Sequence, residues 1–480
     1  MKRGVRTVAL ATAAAAAMIG SEAFAVTREI AGFSPARLTF GTSVLNQLTF
    51  GTYRTPFDEL QTRPYDLLFA NIGRHPNLTA WPGQEGEYAR YVDALIGNNG
   101  AANVDNDADA IEGSMIRRET GAIAWGLSAA VLAGTSSSDD ATGTATFEDS
   151  DDLFGVDLRG AMAWRMSETR VLGGGLRVVQ VSKEITESSF APGVGGFHGE
   201  DSFDQLSIVL DGGMRTFLDR LTSWEVQGAL GFGNATQETF SDAIDDLGAV
   251  TDRFTTENFD LDDVSLVASG AYNRLHADRP GEIEFRGGLQ WSRRELGDDA
   301  LSFSESGGVV TPSLTLTGQD PVTTTGLFGS ATTVFMAGET ELFAAARLAW
   351  ETVGGETLVD AAGTPVREEV DDSRLGLGVV LGLRQPLFRD KLRVIVSGRG
   401  DLARDETATL FDTSEERDEA TLSSAQYAVG LEGVLANVTF DLAWVFGEEI
   451  ALTPPDLGIP AGSRRTVELD RVVFSAAVAW

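Results

Sequence analysis

The sequence predicts an all-β protein, a transmembrane antiparallel β-barrel of about 14 strands within a range of 12 to 16, preceded by an N-terminal non-barrel segment. Three observations predict it. Segments of roughly ten residues alternate apolar and polar side chains, as a wall between lipid and lumen requires. Short turns and long acidic loops follow one another between those segments. After the N-terminal leader no run of 18 apolar residues occurs, which excludes a helical membrane protein but not a barrel, whose lipid-facing residues recur only at every second position.

Taken in order, residues 1–25 read as an export leader. Lys2, Arg3 and Arg6 precede the apolar stretch Val8 to Gly20, and Ala23-Phe24-Ala25 is the small-x-small pattern of a cleavage site. Residues 26–118 read as a plug or a periplasmic segment. Within them Phe40 to Phe50 is a candidate strand. Glu87 to Ile96 is helix-like, with Tyr88, Tyr91, Val92 and Leu95 on one face. Asn98 to Gly113, rich in Asn, Asp and Gly, reads as a linker.

Residues 119–480 read as the barrel. Strands are expected to start near Thr120, Leu153, Val171, Phe203, Thr222, Leu261, Glu282, Thr323, Glu341, Arg374, Leu392, Ala425, Val438 and Val467. Phe154 to Met166 shows why. Phe154, Val156, Leu158, Gly160, Met162, Trp164 and Met166 share one parity, and Asp157, Arg159 and Arg165 share the other. A strand sorts these charges onto one face, whereas a helix scatters them. Trp164, Trp224 and Tyr272 fall at one end of their strands and Trp291, Trp350 and Trp444 at the other, as rings preferring two lipid–water interfaces do.

The links divide by length and charge. Ser167-Glu168-Thr169, Ala337-Gly338-Glu339 and Ala436-Asn437 are short and are expected in the periplasm; Gly134–Asp152, Asn234–Asp260 and Arg404–Leu422 are long, acidic and expected outside. With 37 basic and 71 acidic residues the chain opposes nucleic acid as a partner. Absence of cysteine excludes disulfides, thiolate metal sites and a lipoprotein anchor. Asp139-Asp140 and Glu148–Asp152 are candidates for weak Ca²⁺ or Mg²⁺ binding that bridges to lipopolysaccharide, because hard cations favour carboxylate oxygens; the alternative is a solvated acidic surface. Of three histidines only His198, near Glu200, Asp201, Ser188 and Ser189, has neighbours suited to hydrolysis, so an enzyme is not expected; no resident metal or cofactor is expected either.

The chain ends Val472-Val473-Phe474-Ser475-Ala476-Ala477-Val478-Ala479-Trp480. This resembles the C-terminal signal read by the bacterial barrel-assembly machinery, with Trp480 as terminal aromatic, Val478 two before it, and Phe474 on the same parity. It implies the outer membrane of a diderm bacterium. Fourteen strands, a long N-terminal extension and Arg74-His75-Pro76-Asn77-Leu78 together are similar to the long-chain fatty-acid transporter (FadL-like) family. That resemblance implies an N-terminal plug, a kink in the third strand at Gly173-Gly174-Gly175, and passive transport of small hydrophobic or amphipathic molecules. Lumen-lining candidates are Asp157, Arg159, Arg177, Glu284, Arg286, Arg347, Arg399 and Asp401. The five arginines among them are expected to meet an anionic head group bidentately. The alternatives are a structural or assembly barrel with partner-binding outer loops, and a general porin.

Overall fold

The computed structural model describes residues 44–53, 56–68, 88–101, 104–120, 122–142, 145–191, 195–244, 250–275, 281–296, 300–306, 309–316, 321–355, 358–359, 365–367, 369–388, 391–411, 414–435, 438–452 and 464–479. The leader, the motif around His75 and the terminal Trp480 lie outside the described residues.

Twenty strands follow a short helical segment. That segment contains α1 (Val44–Leu48), α2 (Pro56–Thr62) and a 3-10 turn (Pro64–Leu68). The strands are β1 (Tyr88–Ala101), β2 (Val104–Thr120), β3 (Ile123–Thr142), β4 (Ala145–Ser167), β5 (Arg170–Ala191), β6 (Gly195–Phe217), β7 (Thr222–Ile244), β8 (Val250–Leu275), β9 (Gly281–Leu296), β10 (Ala300–Ser306), β11 (Val309–Leu316), β12 (Val322–Ala337), β13 (Thr340–Gly354), β14 (Leu358–Val359), β15 (Pro365–Arg367), β16 (Glu369–Pro386), β17 (Leu392–Phe411), β18 (Ser414–Leu435), β19 (Val438–Leu452) and β20 (Arg464–Ala479).

Sixteen of them close a ring. From β1 to β9 each strand pairs antiparallel with the next. The ring continues β9–β12–β13–β16–β17–β18–β19–β20. It shuts where β20 also pairs with β1, placing Ala94 opposite Phe474. Closure satisfies every wall N–H and C=O, which lipid cannot do. The β10–β11 hairpin hangs on the far end of β8, and β14–β15 is a separate small hairpin.

The wall is inside-out relative to a water-soluble protein. Directly opposed residues share a face. On β4, Phe154, Leu158, Met162 and Trp164 are exposed, whereas Asp157 and Arg159 between them are 2% and 4% exposed. From Phe154 to Met166 the apolar parity runs about 40 Å along the strand at ~3.4 Å per residue. Tilted ~45°, that covers roughly a bilayer's hydrocarbon thickness. Exposed Trp164 and Trp224 sit at the short-turn end, the latter edge-on to Tyr272 at 6.4 Å; exposed Trp350 and Trp444 sit at the other end. This belt, in a closed ring, is a membrane-spanning wall.

All fourteen expected strands are present, and two more precede them. Within the segment expected to be helix-like, Tyr88 to Ile96 is not helical. Tyr88–Ala101 is a strand, and the expected linker Asn98–Gly113 runs from its end into the next one. Both were obscured because Arg90 and Asp105 place charge on the outward parity. The second partner of β1, β20, lies at the opposite end of the sequence, so no local pattern reveals that pairing. The long loops are largely strand as well: β3 and β4 stay paired out to Thr142 opposite Ala145, so the hairpins stand well beyond the belt. At the short-turn end, Gly338 takes a φ of 70°, as the tight link from Ala337 to Thr340 requires.

Candidate functional site

The helical segment 44–68 lies inside the ring. It touches strands on opposite sides: α1 meets β17 to β20, α2 meets β2 and β3, and the 3-10 turn meets β3 to β6. Helices of 5 and 7 residues are too short to stand alone in water, so their stability comes from what they pack against. Thr49 ends the first one. Its hydroxyl donates to the Leu45 carbonyl at 2.7 Å and accepts the Tyr53 N–H at 3.0 Å, while Phe50 and Gly51 take φ values of 45° and 76°.

Residues 44–53 are held mainly by apolar contact. Leu45, Leu48, Phe50 and Tyr53 pack on Phe343, Val380, Ile395 and neighbouring inward residues. Tyr53 stands edge-on to Phe343 at 5.4 Å, and its hydroxyl donates to Glu341 at 2.8 Å. Behind it Arg384 bridges Glu341, at 3.1 Å, and Glu432, which Arg393 also contacts at 2.5 Å. Ser397 donates to the Leu48 carbonyl and Arg347 to the Phe50 carbonyl.

Residues 60–68 are held by charge. Arg63 grips Glu284 with both terminal nitrogens, at 2.9 and 2.8 Å, and approaches Glu225 at 3.2 Å. Glu225 is the hub: Arg286 donates to it at 2.5 Å, Asn273 at 2.6 Å and the Tyr65 hydroxyl at 3.2 Å. Arg215 pairs with Asp66 at 2.9 Å. Burial opposes the charge on Arg63, but the Glu284 and Glu225 carboxylates more than compensate and hold its pKa above the usual arginine value. Nearer the middle of the lumen, Arg159 donates to the Leu60 carbonyl at 2.5 Å and pairs with Asp211 at 2.7 Å. Arg177 joins Asp157 at 2.9 Å to Gln61 at 2.9 Å, and Gln61 reaches Ser128 at 2.8 Å.

Asp157, Arg159, Arg177, Glu284, Arg286 and Arg347 are thus gathered directly on this segment or one residue behind it. Arg399 and Asp401 instead pair with each other, at 2.6 Å. Arg63, Asp66, Tyr53 and Tyr65 were not foreseen, and neither were Arg215, Glu341, Arg384 and Arg393. For the four wall residues the available signal was charge on the inward parity within a few residues of a short turn.

The glycine run plays a different part from the kink expected of it. Through Gly173, Gly174 and Gly175 the strand stays in register with both neighbours, opposite Ala163, Met162 and Ala161 on one side and Gly213, Gly212 and Asp211 on the other. A Cβ on Gly173 would lie 2.5 Å from the Tyr65 Cα, and one on Gly213 would lie 2.5 Å from its ring. The paired glycines leave room for Tyr65 to lie flat against the wall.

Among the described residues no group of three His, Cys, Asp or Glu is arranged to hold a metal ion. The side chains of Asp139, Asp140, Glu148, Asp149 and Asp151 lie outside the described residues.

No known family profile matches the chain, and no curated protein matches it. Solved structures of similar shape include the toluene transporter TodX of Pseudomonas putida, with a TM-score of 0.44 and 11% identity over 91% of this chain and 97% of that one. The toluene transporter TbuX of Ralstonia pickettii gives 0.43 and 10% over 92% and 98%. A FadL homologue of Pseudomonas aeruginosa gives 0.38 and 11% over 92% and 98%. At such scores the functional reading is carried by this chain's own geometry.

Proposed function

We propose that the protein resides in the outer membrane and is a passive channel for small hydrophobic or amphipathic molecules, with residues 44–68 as its plug. One observation carries this: a lumen of porin width is filled by the chain's own N-terminal segment, fixed there by buried ion pairs. Sixteen strands alone leave a water channel. Here the short-turn half of that channel is crossed by α1, α2 and the 3-10 turn, whose apolar side chains pack on apolar patches of the wall. Such a lumen conducts ions poorly yet offers a mixed surface, apolar where residues 44–53 pack and charged where residues 60–68 do, along which a small solute can move. Diffusion is the mechanism, and no group-transfer chemistry is needed.

Two measurements test it. The purified barrel should migrate differently on a gel before and after boiling. In planar bilayers the full chain should show small conductance, and removal of residues 26–68 should raise it several-fold. Large ohmic conductance from the full chain would identify a general porin. Zero conductance with and without the segment, together with no uptake of a small aromatic solute into vesicles, would favour the structural or assembly role, to which the projecting hairpins are also suited.

A further inference from the structure

The two ends of the wall differ more in charge than in shape. Eight connections lie at the hairpin end, within residues 97–109, 135–152, 183–204, 235–262, 293–323, 351–374, 404–421 and 447–470. Together they hold 46 of the 71 acidic residues and 10 of the 37 basic ones, a net of −36 beside −34 for the entire chain. Leader, plug, belt and short turns are therefore almost neutral in sum. Residues 97–109 and 135–152 contain no basic residue. Antiparallel alternation around a closed ring sets all eight about one mouth.

Among the described residues, these inward-facing arginines do not offset that sign. Arg159 is paired with Asp211, Arg177 with Asp157, Arg286 with Glu225 and Glu284, Arg294 with Asp263 and Arg399 with Asp401. Arg347 is engaged by the Phe50 carbonyl. The guanidinium groups that the sequence offered to an anionic head group are thus already committed. An anion reaching them would have to displace a carboxylate fixed in the wall, after crossing a field of its own sign.

We propose that the channel selects by charge at this mouth, taking cationic and neutral amphipathic solutes and turning anionic ones away. This rests on the reading of the barrel as a passive channel. A ring of like charges around a low-dielectric wall focuses its field into the opening, raises the local concentration of counter-ions and depletes co-ions. The effect is electrostatic and therefore collapses as salt shortens the Debye length.

The full chain in phosphatidylcholine vesicles tests it, with influx of phenyltrimethylammonium, phenyl glucoside and benzenesulfonate followed against protein-free vesicles. Valinomycin with equal K⁺ on both sides holds the potential at zero. At low ionic strength the ammonium should enter roughly tenfold faster than the sulfonate, and the ratio should approach one in ~1 M salt. Converting Asp139, Asp140, Asp149, Asp151 and Asp152 together to asparagine should lower that ratio and leave glucoside influx unchanged. Equal ammonium and sulfonate rates at low salt, with glucoside admitted, would overturn charge selection and leave the channel standing. Glucoside influx no faster than in protein-free vesicles would overturn the channel and this inference with it.

Discussion

The two halves of the plug are buried alike but held by different chemistry. Residues 44–53 lean apolar side chains on an apolar patch of the lumen, with hydrogen bonds from Ser397 and Arg347 to main-chain carbonyls and one from the Tyr53 hydroxyl to Glu341. Residues 60–68 place Arg63 and Asp66 among Glu225, Glu284, Arg215 and Arg286. Apolar contact is tolerant of small shifts, whereas a buried ion network fixes position, because any uncompensated charge there is costly. The charged half therefore sets where the plug sits, and the apolar half fills volume around that anchor.

The chain's lack of cysteine makes the comparison measurable. Leu48→Cys and Leu60→Cys each give a single buried thiol, and maleimide labelling of each reports how often its half of the plug opens. The largest effect is expected from Arg63→Met. It strands Glu225 and Glu284 beside fewer cations and should cost about 3–5 kcal/mol of docking energy. Labelling at the Leu60→Cys probe should rise more than a hundredfold while the Leu48→Cys probe changes far less. An equal rise at both would show that the plug moves as one body and dissolve the distinction. Next comes Gly173→Val, whose side chain collides with the Tyr65 backbone. Overpacking of this kind costs ~1–3 kcal/mol, again read at the Leu60→Cys probe. Tyr53→Phe removes one hydroxyl donor to the Glu341 carboxylate and should cost ~1.5 kcal/mol, a labelling rise of about tenfold at the Leu48→Cys probe alone. The smallest effect is expected from Arg293→Ala. Its pair with Glu295 is about half exposed on both sides and contributes ~0–1 kcal/mol, with no change at either probe. A large response there would mean that the hairpins communicate with the plug.

The wall was legible because alternation is local. Phe154 to Met166 declares its two faces without reference to any other strand, and the same held for the strands from β3 onward outside the β10–β11 and β14–β15 hairpins, except β12, whose Thr and Gly residues choose no face. For β1 and β2 the declaration was garbled by Arg90 and Asp105 on the outward parity, and for β1 the deciding contact lies nearly four hundred residues away. At the site, parity told which residues face inward but not what they face. Glu225 was readable as inward; its role as hub was not, because Arg63 reaches it from a segment whose helices are too short to show a period. The same gap made Arg159, Arg177 and Arg286 look available to a ligand, when each is held by a carboxylate from another strand, the adjacent one for Arg177 and the next but one for Arg159 and Arg286.

The seam between β1 and β20 has a consequence in time. It joins the first wall strand made to the last, so a chain that has not yet delivered Arg464–Ala479 has no ring at all. In that state β1 and β19 are raw edges, each able to capture any other extended chain. Adding the final strand removes both edges at once and encloses the lumen. Assembly of this wall is therefore all-or-none at its last step, and a truncation of a dozen residues at the end would leave not a slightly smaller barrel but an open, adhesive sheet.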